Sequence, residues 1–231
     1  MAPRLLIIAI MRRSISFALI LSIFAVARLV AGEKEDDSMS GRAVIREMNL
    51  ARQNPALYAS LLKELRGRMN GNVLVLPGHT TIRTKEGTAA IDEAIRFLQS
   101  AQPLQPLTFS PGMSRAAADH CADQATGGFG HEGRDRSHAG QRMARYGTPV
   151  GSWGENLSYG KSSARDVVLA LIIDDGLPAR KHRQNIFNPN YTVAGAAFGP
   201  HARFRTVCSM DFAGGYAERG APADTLVARN F

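Results

Sequence analysis

Four polar residues of this 231-residue chain, His131, Glu155, Asp174 and His182, are of types that could work together. Two neutral imidazoles and two carboxylates suit a divalent ion such as zinc, with water completing the shell. A zinc-bound water would be a nucleophile for hydrolysis, with Glu155 the candidate base. The competing reading is that the carboxylates only hydrogen-bond the imidazoles and nearby loops, which stabilises a core without chemistry. His79, His120, His138 and His201 read as solvated loop or helix-surface residues, and Trp153 as a core anchor. Familiar catalytic signatures are missing. Ser152 lies in Gly151-Ser152-Trp153-Gly154, the wrong spacing for a nucleophile elbow. His131-Glu132 opens like HExxH, but position 135 is Asp, and neither a Walker loop nor GxGxxG occurs.

The elements that must position these residues follow from periodicity and punctuation. A helix is expected from Gly41, a second from Pro55 to Leu65 and a third over Ala89–Gln99. Pro103 and Pro106 bracket an extended segment, and Ser110-Pro111 opens a helix that carries Cys121. Gly127-Gly128 ends it, leaving His131 and His138 in a polar loop before a short helix over Gln141–Tyr146. Gly154 to Gly160, with Glu155, reads as a strand. Ser163 with Asp166 starts a helix expected to run to Asp175, on which Val167, Ala170 and Leu171 share a face with Asp174. Asp175 lies at the edge of that stripe, so either acid could face His182. Val193–Phe198 and Phe204–Phe212 form a hairpin across Gly199-Pro200-His201. Helices first and strands last suggest α+β with an antiparallel sheet.

Cys121 and Cys208, 87 positions apart, have no CxxC spacing, so a Cys-based zinc or redox site is not supported. Both fall on inward phases of their elements. That permits a disulfide in an exported chain, and equally two small buried hydrophobes.

Residues 1–31 read as a signal peptide or N-terminal anchor. Arg12-Arg13 precede the apolar run Ile15–Ala27, which ends in Ala25-Val26-Ala27. Its 13 residues fall short of the ~20 that span a bilayer, so no stable span is expected after cleavage, and the location is secreted or periplasmic. That stretch carries four arginines and no acid, so its removal takes the formal charge from +8 to +4. A mildly basic domain could favour an anionic surface, but it lacks the dense basic stripe of a nucleic-acid binder. The organisation read is a linker at 32–40, one domain over 41–216 with an insertion near 66–102, and a tail at 217–231.

Gly154-Glu155-Asn156-Leu157, His182-Arg183-Gln184-Asn185-Ile186-Phe187-Asn188-Pro189 and Val193-Ala194-Gly195 together resemble the CAP superfamily. This is the group of cysteine-rich secretory, antigen 5 and pathogenesis-related proteins, also called the SCP domain. Phe129-Gly130-His131, ten positions before Gln141-Arg142-Met143, is similar to its bacterial secreted branch. The resemblance implies an α-β-α sandwich around a three-stranded antiparallel sheet. It implies a central cleft with His131, His182 and Glu155, and a second acid at Asp174. It further implies a divalent cation on the two histidines, a lipid or sterol ligand, or a surface-interaction role, with binding ahead of catalysis. The chain departs from the family pattern at Leu171, where Trp is usual, at Asp174, where Glu is usual, and at Lys181, where Gly is usual.

Overall fold

Strand alternation at the C-terminal end of the chain organises the molecule. The computed structural model describes residues 38–75, 81–220 and 226–227. The leader, most of the linker, Leu76, His79 and most of the expected tail lie outside the described residues. The chain divides into two units after Ser38, and the described elements all lie in the second, Met39–Phe231. The elements of the second unit begin with α1 (Gly41–Gln53), α2 (Pro55–Arg66), β1 (Met69–Asn70), β2 (Val73–Leu74), β3 (Ile82–Arg83), α3 (Thr88–Ser100), β4 (Thr108–Phe109) and α4 (Pro111–Gln124). Then come α5 (Ala139–Ala144), β5 (Gly147–Tyr159), α6 (Ala164–Ile173), α7 (Lys181–Ile186), β6 (Val193–His201), β7 (Arg205–Glu218) and β8 (Leu226–Val227).

The main sheet has the order β4-β6-β7-β5. The antiparallel trio β6, β7 and β5 is the sheet expected, extended by a short parallel pairing of β4 with β6 and by β8 on the end of β7. The pairing of Leu226–Val227 with Tyr216 and Ala217 draws part of the expected tail into the sheet.

Successive residues of β7 point to opposite faces, and helices cover both. Cys208, Met210 and Phe212 join Ala194 and Ala196 of β6 in a core shared with α1, α2, α3 and α6. On the other face, Ala213, Tyr216 and Val193 pack with Met113 and Ala116 of α4 and with Ala139 and Met143 of α5. Burying the valine, methionine and phenylalanine side chains among these contributes roughly 1.5–3 kcal/mol each. The result is the α-β-α sandwich. The approach of α4 is close enough to require glycine at 195, because a Cβ there would stand 2.3 Å from the Ser114 nitrogen. Ser110 caps α4, accepting from the Met113 N–H at 3.0 Å. Glu218 at the end of β7 accepts from the Ser110 hydroxyl at 2.6 Å and the Gly112 N–H at 2.9 Å.

This layering corrects the disulfide expectation. Cys121 and Cys208 are both free and buried. Cys208 faces the α1/α6 side with Met210 and Phe212. Cys121 belongs to α4, on the opposite side, where its Cβ stands 2.8 Å from where a Cβ on Gly199 would lie. The sheet backbone separates them, and the Cys121 thiol donates instead to the Ala197 carbonyl at 3.4 Å.

The expected insertion has two parts. Residues 69–83 contribute the small antiparallel sheet β1-β2-β3. Helix α3, by contrast, buries Ile91, Ala94, Ile95 and Leu98 in the main core.

Candidate functional site

Strand β5 lies at the edge of the main sheet, and its consecutive residues Glu155 and Asn156 point to opposite faces. Each organises one histidine. On the α4/α5 side, Glu155 Oε2 is 2.6 Å from His131 Nδ1. Its other oxygen accepts from the guanidinium of Arg142, a fully buried residue of α5. Arg142 also donates to the carbonyls of Ser137, at 2.6 Å, and His131, at 3.3 Å, so one cation holds both the carboxylate and the loop that carries the histidine. That loop leaves α4 through Gly130, whose φ of 95° lies in the region glycine tolerates. The Gly130 N–H donates to the Tyr159 hydroxyl at 3.1 Å, and its carbonyl lies 2.9 Å from His120 Nε2.

The second histidine depends on how α6 ends. Ser163 caps its start, accepting from the Asp166 N–H at 3.1 Å. The helix stops at Ile173, not at Asp175 as expected, because Asp174 turns into the left-handed region with φ 56°. That turn aims the Asp174 carboxylate at α7, where it accepts from the His182 backbone N–H at 3.0 Å and meets His182 Nδ1 at 2.7 Å. Asp174 therefore faces inward as expected, but as a C-cap rather than from the helix stripe. The choice between the acids is also resolved: Asp175 accepts the backbone N–H groups of Lys85 and Glu86, both at 2.8 Å.

The segment between Asp174 and His182 is pinned by the region read as an insertion. Arg180, itself left-handed with φ 50°, pairs with Glu86 and Glu93, each at 2.7 Å, and donates to the Asp174 carbonyl at 2.8 Å. Arg183 pairs with Glu93 at 2.9 Å and donates to the Ile172 carbonyl at 2.6 Å. Held by Arg180 and by the Gly176 N–H, the Glu86 carboxyl falls to about 2. The far end of α7 is fastened by Arg52 of α1, which donates to the carbonyls of Ile186, Asn188 and Tyr191.

The two halves meet through Asn156. Its side-chain amide donates to the His182 carbonyl at 3.0 Å, and its oxygen accepts from Asn185 at 2.8 Å. Each imidazole thus offers Nδ1 to a carboxylate, an acceptor, which assigns the proton to Nδ1 and leaves the lone pair on Nε2. Neither Nε2 has a hydrogen-bond partner among the described residues. The carboxylates are nearly inaccessible, with side-chain exposures of 3% for Glu155 and 2% for Asp174, while His131 is 57% and His182 18% exposed. The donors left for a metal are two imidazole nitrogens, with the acids occupied in orienting them, a common arrangement behind metal-binding histidines. In donor chemistry this set suits a cation that completes its shell with water. It does not fit a four-residue cage, and among the described residues no group of three or more His, Cys, Asp and Glu side chains is placed to hold an ion.

Several residues depart from their sequence reading. His120 is fully buried beneath this site, 3.8 Å from Glu155 Oε2, and burial lowers its pKa. His201 is buried too, its Nε2 2.8 Å from the Gly128 carbonyl. Trp153 is not a core anchor. It is 46% exposed and lies over Gly140, where a Cβ would stand 2.9 Å from the indole. Sequence reasoning misses Arg142 and Asp211. Asp211 faces the same side as Glu155, its partner across the strands, and period-two phase from Cys208 is the signal for it. Burial, and then the charge of Glu155, push its pKa well above the usual carboxylate range.

Comparisons with known proteins bear on the same region. A family model described as the cysteine-rich secretory protein family, CAP, matches residues 47–212. The uncharacterised protein YkwD of Bacillus subtilis (strain 168) is 26% identical over 125 residues, 52% of this chain and 47% of that protein. The chain therefore spans about half the length of this curated relative. Among solved structures, an outer surface protein from Borrelia burgdorferi aligns with a TM-score of 0.40 at 16% identity, over 48% of this chain and 78% of that one. An extracellular protein containing an SCP domain from Bacillus anthracis str. Ames gives 0.39 at 18% identity, over 52% and 37%. The CAP domain of Enterococcal PrgA gives 0.36 at 17% identity, over 55% and 58%.

Proposed function

The chain belongs to the cysteine-rich secretory protein family, CAP, and on that premise we propose that it is an exported ligand-binding module whose His131 and His182 take a divalent cation such as zinc. One observation supports this reading above the others. Two imidazoles, far apart in sequence, are each oriented through Nδ1 by a buried carboxylate, which leaves both Nε2 atoms without a partner among the described residues. Such a pair costs buried carboxylates to build and is well suited to present lone pairs. A bound cation would supply Lewis acidity, and with it a point of attachment for an oxygen of a ligand. Binding stands ahead of hydrolysis because the candidate base, Glu155, is already committed to Arg142 and His131. Export rests on the leader. Among the described residues no helix is long and apolar enough to cross a membrane.

The test is calorimetric titration of the full chain with zinc. His131→Ala and His182→Ala should each weaken binding by tenfold or more, about 1.4 kcal/mol. No binding, or binding that neither substitution alters, overturns the reading. Peptide or ester cleavage that requires zinc and disappears in Glu155→Ala would instead favour the hydrolase.

A second reading, a lipid or sterol ligand, draws on Phe129. This residue is 73% exposed beside His131 and stacks on Tyr159 with centroids 4.7 Å apart. An exposed aromatic of this kind suits an apolar ligand or an interface. Mass spectrometry of organic extracts from the purified chain tests it. A co-purified lipid that is lost in Phe129→Ser supports it, and an extract identical to a buffer control overturns it.

A further inference from the structure

The interior behind the His131–Glu155 pair contains an acid that is hydrogen-bonded to neither histidine. Asp211 is fully buried on β7. Its two strand neighbours are Glu155 on β5 and Gly195 on β6, so one side brings a second carboxyl and the other no side chain. Neither oxygen of Asp211 has a protein hydrogen-bond partner. Three more buried atoms share that condition: His120 Nδ1 on α4, Arg142 Nε on α5 and Ser209 Oγ on β7. Together they are every such atom among the described residues, and all belong to the layer between the sheet and α4/α5. Buried polar groups are almost always satisfied, by protein or by ordered water. Five unmatched atoms gathered in one layer point to shared solvent.

Charge decides the state of the acid. The ionisable groups that act on Asp211 are Glu155 from β5, Cys121 from α4, Arg142 from α5 and Tyr216 from β7 itself. Arg142 is the one cation in this set, and it already serves Glu155. A second negative charge here would be buried without a partner, which is expensive. His120 Nε2 lies 2.9 Å from the Gly130 carbonyl and 2.7 Å from the Gln124 side-chain amide nitrogen, so the ring is held through Nε2 and Nδ1 is left to the interior. Ordered water, which both donates and accepts, meets the needs of Asp211, Arg142 Nε–H, Ser209 Oγ and His120 Nδ1 in either tautomer.

We propose that Asp211 is a third acid of the site, a neutral carboxyl that with Ser209, His120 and Arg142 binds ordered water behind the His131–Glu155 pair. Its neutrality leaves Arg142 to Glu155, and so keeps Glu155 in place as the acceptor for His131. Asp211 is a positioning residue. The assignment stands on interior packing and is independent of what His131 and His182 bind.

Infrared spectra of the full chain at neutral pH test it, compared with Asp211→Asn. The C=O stretch of a protonated carboxylic acid should be present in the parent and lost in the variant. A high-resolution crystal structure should show water bridging Asp211 to Ser209 or His120. The carboxyl carbon shift of Asp211, read by NMR on the unaltered chain, should hold its protonated value at neutral pH, and this measurement survives a variant that fails to fold. The proposal is overturned by an ionised carbon shift, by no acid band, or by a dry interior in which Arg142 leaves Glu155 to pair with Asp211.

Discussion

Asn156 donates its side-chain amide to the main-chain carbonyl of His182 at 3.0 Å. The preceding residue, Glu155, receives Nδ1 of His131 on the other face of the same strand. Two consecutive positions of an edge strand therefore hold both histidine segments, Glu155 through the ring of His131 and Asn156 through the backbone of His182. Replacing Asn156 by Ala removes the donor to His182 and the acceptor for Asn185, both in a buried setting. A loss of about 1–3 kcal/mol is expected. Thermal unfolding reads that loss, and imidazole NMR should shift for His182 while His131 keeps its signals.

Glu155 and Arg142 form the most enclosed ion pair of the site, with side-chain exposures of 3% and 0%. Glu155→Ala strands a buried guanidinium, for which about 3–5 kcal/mol of destabilisation is expected. Denaturant unfolding measures it. A loss under about 1 kcal/mol would mean that Arg142 finds water or another acceptor.

The pairing of Arg180 with Glu86 and Glu93 should behave as a clamp on residues 174–183. It holds two non-glycine residues, Asp174 and Arg180, in left-handed backbone, a conformation that persists only when its surroundings enforce it. Arg180→Met should speed amide exchange across 174–183 by about tenfold, roughly 1.4 kcal/mol of local opening. Exchange around His131 should stay as it was.

Acid should release that clamp in a defined window. The Glu86 carboxyl is depressed to about 2 by Arg180 and by the Gly176 N–H, so the folded form prefers its charged state. The stabilisation is fully present above the ordinary carboxylate value of about 4.3 and is lost as pH falls through about 2. An NMR titration of the Glu86 carboxyl checks the midpoint. A midpoint at the ordinary value would show that the pair contributes nothing.

Both cysteines should stay reduced without added reductant. The Cys121 thiol is pushed up to about 12 by burial, and Cys208 is raised by the same cause, so neither offers a thiolate at neutral pH. Alkylation followed by mass spectrometry should add two groups to the unfolded chain and none to the folded one. Melting should not respond to a reducing agent.

Much of the fold is legible locally. Ser40, Ser110 and Ser163 each cap the helix their position suggests. The hairpin of β6 and β7 follows the two-residue alternation, but β6 runs on through the expected turn, pairing Gly199, Pro200 and His201 with β7, and the chain reverses at 202–204. These features depend on neighbours within a few residues, and such signals are written into spacing and residue type. His131, Glu155 and His182 are nominated by the resemblance of their segments to the CAP superfamily, and Asp174 by its helical phase with Val167, Ala170 and Leu171.

The sequence by itself thus determined most of the elements and the buried face of many of them, and it nominated four residues for a site. Tertiary structure alone decided which acid of Asp174-Asp175 meets His182, because a left-handed C-cap, not helix phase, aims that carboxylate. It also placed Cys121 and Cys208 on opposite sides of a sheet, although each points inward from its own element. Arg142, His120 and Asp211 come from a short helix, a long helix and a central strand, and they gather beneath Glu155 only once both faces of the sheet are covered. Periodicity tells a residue that it faces inward; the order of strands and the side each helix takes decide what it meets there.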